Sequence, residues 1–242
     1  MKILFISLGC DKNLADSEEM LGLLTGNGHE IVDSEEEADA IVINTCCFIH
    51  DAKEESVNTI LEMAEYKKTG TCKILIVTGC MAQRYKEEIT EEIPEVDAVL
   101  GTTSYGDIVK ALNEAEAGHV FQEFKDINAL PEDSGRRVIT TGGHFGYLKI
   151  AEGCDKHCTY CIIPSLRGKF RSVPEERLLK QAEYMASQGV RELILVAQET
   201  TVYGTDLYGK KLCISFLRNF ARLKESVGSV FFTVIRKKFM MN

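Results

Sequence analysis

The amino-acid sequence predicts an α/β protein in two parts: an open parallel sheet with helices on both faces, followed by a shorter strand–helix region. Short apolar runs, typical of buried parallel strands, alternate with helical patterns along most of the 242 residues. The alternation fades after about residue 125 and resumes near residue 144. We therefore expect a first domain at 1–125, a linker at 126–143 and a second domain at 144–242.

The first domain contains four runs that predict strands and three that predict helices. The strand runs are short, apolar and rich in β-branched residues, as expected for strands buried on both sides. The helical segments carry apolar residues at helical spacing between charged ones. The predicted strands are 2–8, 40–44, 74–78 and 96–100, and the predicted helices are 16–24 (with Ser17 near its start), 52–66 and 105–115.

The second domain begins with a predicted strand at 147–151, which ends at a cysteine-containing loop. Ser172 and Glu175 have the spacing of a capping box, and Pro174 falls within the first turn, which predicts a helix that begins there. Gly189 ends this helix. The remaining predicted elements are a strand at 192–197, a helix at 212–224 and a strand at 230–235.

Composition limits the classes of function. With 45% apolar and 27% charged residues, and no apolar run near the roughly 20 residues of a membrane span, the chain has a globular composition. Its apolar start lacks a cleavage-site pattern and predicts a strand, so we expect a cytoplasmic protein. The net charge of -9 gives no overall attraction for nucleic acid. A local basic strip, Arg167, Lys169 and Arg171, either meets a carboxylate or an acidic partner or is a solvated turn.

The cysteines carry most of the functional information. Nine cysteines, an odd number, favour metal binding or catalysis over a disulfide framework in a cytoplasmic chain. Cys154, Cys158 and Cys161 form C-x₃-C-x₂-C within one loop. This spacing suits three thiolates that bind three irons of a [4Fe–4S] cluster and leave the fourth iron open to a small molecule. The alternatives are a structural zinc site with His157 as fourth ligand, and three thiols without a metal.

A second trio consists of Cys10, Cys46 and Cys80, each just past the carboxyl end of a predicted parallel strand. In a doubly wound sheet these ends converge on one crevice, so the three thiols are expected to meet and hold a second cluster. The alternative is that they are small buried packing residues. The residues that precede them are small or polar and allow a close approach of the backbone: Gly9, Thr45 and Gly79.

Together the two trios resemble the cysteine pattern of the radical S-adenosylmethionine (radical SAM) methylthiotransferases, which carry two [4Fe–4S] clusters. The segment at 197–206 is similar to the branch of that family that modifies a ribosomal protein. The resemblance implies that the second domain is an incomplete radical SAM (β/α) partial barrel. Further stretches that support it lie at 7–17, 44–46, 77–80 and 162–168.

The resemblance implies a sulfur-transferring enzyme with two [4Fe–4S] clusters and S-adenosyl-L-methionine as cofactors. The cluster on Cys154, Cys158 and Cys161 would bind S-adenosylmethionine and cleave it to methionine and a 5′-deoxyadenosyl radical. The cluster on the first trio would deliver a methylated sulfur to the substrate carbon. The implied substrate is an aspartate of the twelfth protein of the small ribosomal subunit, which gains a β-methylthio group. The implied electron donor is a flavodoxin or ferredoxin.

Other residues carry weaker signals. Tyr160 resembles the family's aromatic residue near the adenine of S-adenosylmethionine, with core packing as the alternative. Gln198 and Glu199 follow a predicted strand, a position at which barrel enzymes keep functional groups. The remaining cysteines are expected to be bystanders or core residues: Cys47, Cys72 and Cys213.

Three other interpretations stay open on the sequence: a transfer RNA (adenosine) methylthiotransferase of the same family, a non-catalytic iron–sulfur electron-transfer protein, and an inactive remnant. The second domain is much shorter than the ~250-residue barrel to which radical SAM cores are related, so we expect a C-terminally truncated core. Residues 230–242 depart from the family's pattern, which suggests a frameshifted or mis-assembled end of the gene.

Overall fold

The computed structural model describes residues 1–132 and 134–211 and the backbone of residues 231–234. Strands and helices alternate along these residues, which confirms the α/β class predicted from the sequence. Within the described residues, no helix has both the length and the apolar character needed to cross a membrane.

The chain divides into two compact units. The first comprises Met1–Val138 together with Ser165–Arg167, and the second comprises Ile139–Pro164 and Gly168–Asn242. The short segment Ser165–Arg167 therefore belongs structurally to the first unit, although it follows the second cysteine trio in the sequence.

A six-stranded, wholly parallel sheet forms the centre of the first unit. The spatial order is β2-β1-β3-β4-β5-β6, so the strand order reverses between β1 and β3. Because all six strands are parallel, their carboxyl ends lie along one edge of the sheet. The strands are β1 (Lys2–Ser7), β2 (Glu30–Val32), β3 (Ala40–Thr45), β4 (Ile74–Gly79), β5 (Ala98–Leu100) and β6 (Phe121–Glu123).

Helices cover both faces of this sheet. Successive residues of a strand point to opposite faces, and Val42 and Ile43 of β3 are both fully buried. On the face that carries Val42, the core includes Met20 from α1 and Leu112 from α4. The helices of the first unit are α1 (Asp11–Gly26), α2 (His50–Thr69), α3 (Cys80–Glu92) and α4 (Ile108–Glu116).

The second unit contains a parallel three-stranded sheet in the order β11-β10-β7 and an antiparallel pair, β8 with β9. The parallel sheet agrees with the beginning of the β/α barrel that the sequence predicts. Its elements are β7 (Phe145–Lys149), β8 (Ala151–Glu152), α5 (Ile163–Arg167, shared with the first unit), β9 (Arg171–Ser172), α6 (Glu175–Ser187), β10 (Glu192–Val196), α7 (Thr205–Tyr208) and β11 (Phe231–Val234).

Residues 136–138, at the end of the segment Met1–Val138, pack on α1. The Arg137 guanidinium contacts Glu18 Oε2 at 2.5 Å from Nη2 and 2.8 Å from Nε, and both side chains are buried. The Val138 amide donates to the Glu18 carbonyl at 3.0 Å. A Cβ on Gly22 would lie 2.7 Å from the backbone of Arg136. Part of the sequence predicted as a linker is thus held tightly against a helix.

The first predicted helix begins earlier than the sequence indicated. The prediction placed its start at Asp16, with Ser17 near the first turn, whereas α1 begins at Asp11. Ser17 lies in the helix interior, and its hydroxyl donates to the Asn13 carbonyl at 3.0 Å. Two polar residues of its first turns, Asn13 and Asp16, are buried and hydrogen-bonded to distant parts of the chain.

The capping box predicted at Ser172 is wrong. Helix α6 begins at Glu175 with Pro174 as its N-cap residue, and no side chain caps it. Ser172 lies in β9, where its hydroxyl bonds to Asp206 Oδ1 at 2.6 Å and its amide donates to Asp206 Oδ2 at 2.8 Å. The short strands β2 and β6 were missed, and the predicted helix at 212–224 lies outside the described residues.

Candidate metal centres

The first cysteine trio lies at the carboxyl edge of three adjacent parallel strands. Cys10 follows β1 and is the N-cap residue of α1, Cys46 follows β3 directly, and Cys80 is the first residue of α3, directly after β4. These three strands are neighbours in the sheet, and the strand order reverses between β1 and β3. This is the position at which open α/β sheets bind ligands.

Two glycines bring the backbone close to these cysteines. A Cβ on Gly9 would lie 2.6 Å from Cys46 Cβ and 3.0 Å from Cys46 Sγ, so Cys46 packs directly on the residue before Cys10. A Cβ on Gly79 would lie 2.5 Å from the Thr45 carbonyl oxygen. Both glycines have positive φ, +95° and +93°, which side chains strongly disfavour. The close backbone approach predicted at these glycines is confirmed.

Side-chain hydrogen bonds hold the backbone at the ends of β1 and β3. Asn13 Nδ2 donates to the Leu8 carbonyl at 3.0 Å and to the Thr45 carbonyl at 2.8 Å, which ties the turn after β1 to the end of β3. Ser56 bonds both to the Cys46 amide at 3.1 Å and to the Cys46 carbonyl at 2.8 Å. The backbone next to Cys10 and at Cys46 is therefore held by side chains from α1 and α2.

The three cysteines of the first trio differ in burial. Cys46 and Cys80 are buried, and Cys10 is exposed. Burial raises the pKa of the Cys46 and Cys80 thiols, and Cys10 raises it further, which indicates that the three sulfurs lie within electrostatic range of one another. The positive charge of Arg167 acts in the opposite direction on both.

Arg167 is the residue near the first trio whose surroundings the sequence predicted least clearly. Its guanidinium is buried in the first unit and donates from Nη1 to Asp16 Oδ2 at 2.7 Å and from Nη2 to Asn13 Oδ1 at 2.5 Å. One of the two meanings offered for the basic strip, contact with a carboxylate, is the correct one for Arg167. Asn13 and Asp16 were missed as site residues; the available signal was that polar residues fill a helix face that should be apolar.

The other described cysteines are buried in the first unit. Cys47 Sγ donates to the Cys80 carbonyl at 3.2 Å, and burial raises the pKa of Cys47 to about 12. Cys72 Sγ donates to the Ile74 carbonyl at 3.3 Å. Cys47 therefore contacts the backbone of a member of the first trio. Cys213 lies outside the described residues.

The second trio lies in one loop of the second unit, between β8 and α5. The Cys154 amide donates to the Gly168 carbonyl, and the Cys161 amide donates to the Cys158 carbonyl, both at 3.0 Å. Gly153 has a φ of +67°, and a Cβ there would collide with the carbonyl oxygens of Gly168 and Lys169. The loop is thus closed at its base by a backbone crossing that only glycine permits.

Charged side chains fix this loop further. Lys156 forms an ion pair with Glu199, which follows β10, and this contact holds the pKa of Glu199 below its usual value. The prediction of cofactor contact at Gln198 and Glu199 is not tested, but Glu199 touches the cysteine loop. Tyr160 is 69% exposed, so it is not a core residue, and its role beside an adenine stays a prediction.

The donor types of the two trios suit iron–sulfur clusters. In the described part of the chain, no three His, Cys, Asp or Glu side chains lie close enough to hold one metal ion. Structural zinc needs four ligands that converge on one point. In a [4Fe–4S] cluster each thiolate binds a different iron, so the sulfurs need not converge. Each trio consists of three thiols, the donor type that holds iron–sulfur clusters in proteins.

Comparison with known families agrees with this chemistry. Residues 2–101 match the uncharacterized protein family UPF0004, and residues 148–233 match the radical SAM superfamily. The chain is 65% identical over 218 residues to the ribosomal protein uS12 methylthiotransferase RimO of Lachnoclostridium phytofermentans. It is 50% identical over 223 residues to the protein of the same name from Clostridioides difficile. These alignments cover 90% and 92% of this chain but 50% of each relative, so the chain spans about half the length of the curated relatives it matches.

A solved structure has a related fold. The radical S-adenosylmethionine methyltransferase TsrM from Kitasatospora setae, with cobalamin and a [4Fe–4S] cluster bound, superposes with a TM-score of 0.58. The sequences are 11% identical, and the match covers 93% of this chain and 51% of that one. At this identity the likeness concerns the fold alone, and it supports the α/β class of the chain.

Proposed function

We propose that this chain is a radical S-adenosylmethionine methylthiotransferase that adds a methylthio group to ribosomal protein uS12, at the β-carbon of an aspartate; its similarity to the radical SAM superfamily and to the RimO proteins supports this. One observation carries the proposal: a single chain contains two separate thiol trios, one in a local loop and one at three adjacent strand ends. A simple electron-transfer protein has no need of two clusters that each keep an open iron.

Each trio has a distinct part in this proposal. Cys154, Cys158 and Cys161 would hold the cluster that binds S-adenosylmethionine, and Cys10, Cys46 and Cys80 would hold the second cluster. When bound, these groups supply the radical and sulfur chemistry needed to functionalise an unactivated carbon, and the protein supplies binding and orientation. A flavodoxin or ferredoxin is the proposed source of electrons.

Other residues of the chain hold both cysteine trios in position. Gly153 and the pair of Lys156 with Glu199 hold the second loop in one conformation. Asn13 and Ser56 hold the first trio's backbone, and the burial of two of its three thiols limits access of water. At both trios the surrounding side chains orient the thiols and exclude solvent.

The test is anaerobic reconstitution of the full chain with iron and sulfide. We expect about eight irons per chain, and about four after either trio is changed to alanine, since each trio holds one four-iron cluster. Cys72→Ala is the matched control, because Cys72 is a buried thiol of the first unit outside both trios. Four irons in the unchanged chain, or no loss when one trio is removed, would contradict two clusters.

The reaction itself is tested with reductant, S-adenosylmethionine and a substrate. Release of 5′-deoxyadenosine that requires the Cys154 trio, and a methylthio mass increase on uS12 that requires both trios, are the expected results. A methylthio group on transfer RNA with none on uS12 would assign the chain to the other branch of the family. Release of 5′-deoxyadenosine without transfer to either substrate would reject the methylthiotransferase function for this chain.

A further inference from the structure

Arg167 lies beside the first trio although it comes from the sequence region of the second. Its segment, Ser165–Arg167, belongs to the first unit, where Thr102 Oγ1 donates to the Leu166 carbonyl at 2.7 Å. The side chain is 3% exposed. A buried arginine is costly unless its charge is paired and hydrogen-bonded, so this position requires a physical reason.

The contacts of the guanidinium orient its charge toward a cysteine of the trio. Asp16 accepts from Nη1, and Asn13 Oδ1 accepts from Nη2. Cys80 Sγ donates to the same Asn13 oxygen at 3.8 Å. The positive nitrogen and the cysteine sulfur therefore meet on one atom, while the carboxylate that balances the arginine takes the other nitrogen.

The proposed occupant of the trio would make this charge useful. A [4Fe–4S] cluster held by three thiolates is negative, and each added electron makes it more negative. Hydrogen bonds, nearby charge and burial set the potential of such clusters. A fixed cation in a poorly solvated site acts strongly, since charge interactions are screened little there.

We propose that Arg167 is a positioning residue of the first trio, whose fixed positive charge favours the reduced state of the cluster held by Cys10, Cys46 and Cys80. This inference rests on the proposed function, because it assumes that the trio holds a cluster. Asp16 opposes the effect, so the two residues shift the potential in opposite directions. An arginine that served only to stabilise the fold would not show this opposition.

The experiment isolates one cluster in the full chain. In a Cys154→Ala, Cys158→Ala, Cys161→Ala background, the first trio is reconstituted with iron and sulfide. The cluster is then titrated with dithionite in the presence of redox mediators and followed by electron paramagnetic resonance and visible absorption. Arg167→Met should raise the oxidised-to-reduced ratio at a fixed potential at least about tenfold, which equals ~59 mV for one electron. Arg167→Lys should restore most of the shift, because it keeps the charge.

Two further variants guard against a failure to fold. Asp16→Asn should shift the ratio in the opposite direction, and the double variant Asp16→Asn, Arg167→Met should return near the starting value without leaving a buried charge unpaired. Arg137→Met is the matched control, since it also breaks a buried ion pair on α1 but involves Glu18. It should lower stability without shifting the potential.

The outcomes separate the two claims. A background chain that takes up no iron overturns the proposed cluster of the first trio, and this inference with it. If the background chain takes up about four irons, but the Arg167 and Asp16 variants have the same reduction potential as that background, this inference alone is overturned. A shift of the same sign in both variants overturns it too, because it would indicate a structural disturbance and not a charge effect.

Discussion

The two cysteine trios of this chain are assembled in opposite ways. In the second unit, three thiols lie within one loop, from Cys154 to Cys161, and local backbone contacts shape that loop. In the first unit, the trio spans the chain from Cys10 to Cys80, and only the parallel sheet brings these residues to neighbouring strand ends. The local site depends on one turn, whereas the dispersed site depends on the whole sheet. Local and dispersed assembly should therefore respond differently to chemical modification and to substitution.

The largest contrast is in thiol reactivity of the metal-free chain. Cys47 adjoins the first trio and is 2% exposed, and burial raises its pKa to about 12. At pH 8 its reactive thiolate should therefore be about 10³-fold scarcer than that of an ordinary exposed thiol. We expect Cys158, which is exposed, to be alkylated by iodoacetamide far ahead of Cys47 in the native chain. Mass spectrometry of peptides over time measures this order, and equal rates would contradict the buried sheet edge.

The next effect concerns the sheet itself. Gly79→Ala places a Cβ 2.5 Å from the Thr45 carbonyl oxygen at a φ of +93°, directly after central strand β4. We expect a loss of roughly 2–5 kcal/mol in the free energy of unfolding, from overpacking and backbone strain together. The same change should abolish iron uptake by the first trio. Urea denaturation followed by circular dichroism, with iron counts, measures both.

Gly28→Ala is the matched control for that variant. Gly28 has a similar φ of +85°, but a Cβ there would meet nothing within 4 Å. It should cost only about 1–2 kcal/mol, the strain of the left-handed backbone alone. Equal losses in the two variants would show that crowding at the strand end is unimportant.

At the second trio, a glycine-to-alanine substitution should disturb the cysteine loop more than the stability of the fold. Gly153→Ala collides with the carbonyl oxygens of Gly168 and Lys169, but residues 155–160 of the loop are exposed, so the loop can shift where a central strand cannot. We expect a loss of roughly 1–3 kcal/mol together with loss of iron from the second trio only. Gly143→Ala is the control in the same unit, with a φ of +82° and open space. A loss of iron from both trios would contradict the independence of the two sites.

The smallest effect is expected for the ion pair on the second loop. Lys156→Met removes the partner of Glu199, and because Lys156 is largely exposed the cost should be within about 1 kcal/mol. The pair holds the pKa of Glu199 below its usual value, so its contribution is present above the ordinary glutamate pKa and disappears as pH falls through the lowered one. The difference between variant and unchanged metal-free chain should therefore vanish in acid. A difference that persists there would show that Lys156 acts through packing.

Much of the first unit was predictable because its buried strands are short apolar runs. The runs at 40–44 and 74–78 correspond to β3 and β4, which are buried along their whole length. The start of α1 was not predictable in the same way, because Asn13 and Asp16 are polar residues buried by contacts with distant parts of the chain. At Ser172, a correct local pattern was overridden because Asp206 binds the serine in β9.

Sequence alone determined the spacing of both cysteine trios, and it determined the strands that the cysteines of the first trio follow. Spacing and apolar runs are local properties of the chain. Tertiary structure alone decided that Arg167 meets Asp16 and Asn13 beside Cys80. Nothing near Arg167 in the chain indicates which carboxylate, some 150 positions away, will balance its charge. The choice depends on how the chain packs, because a buried cation must find its counter-charge wherever folding brings one within reach.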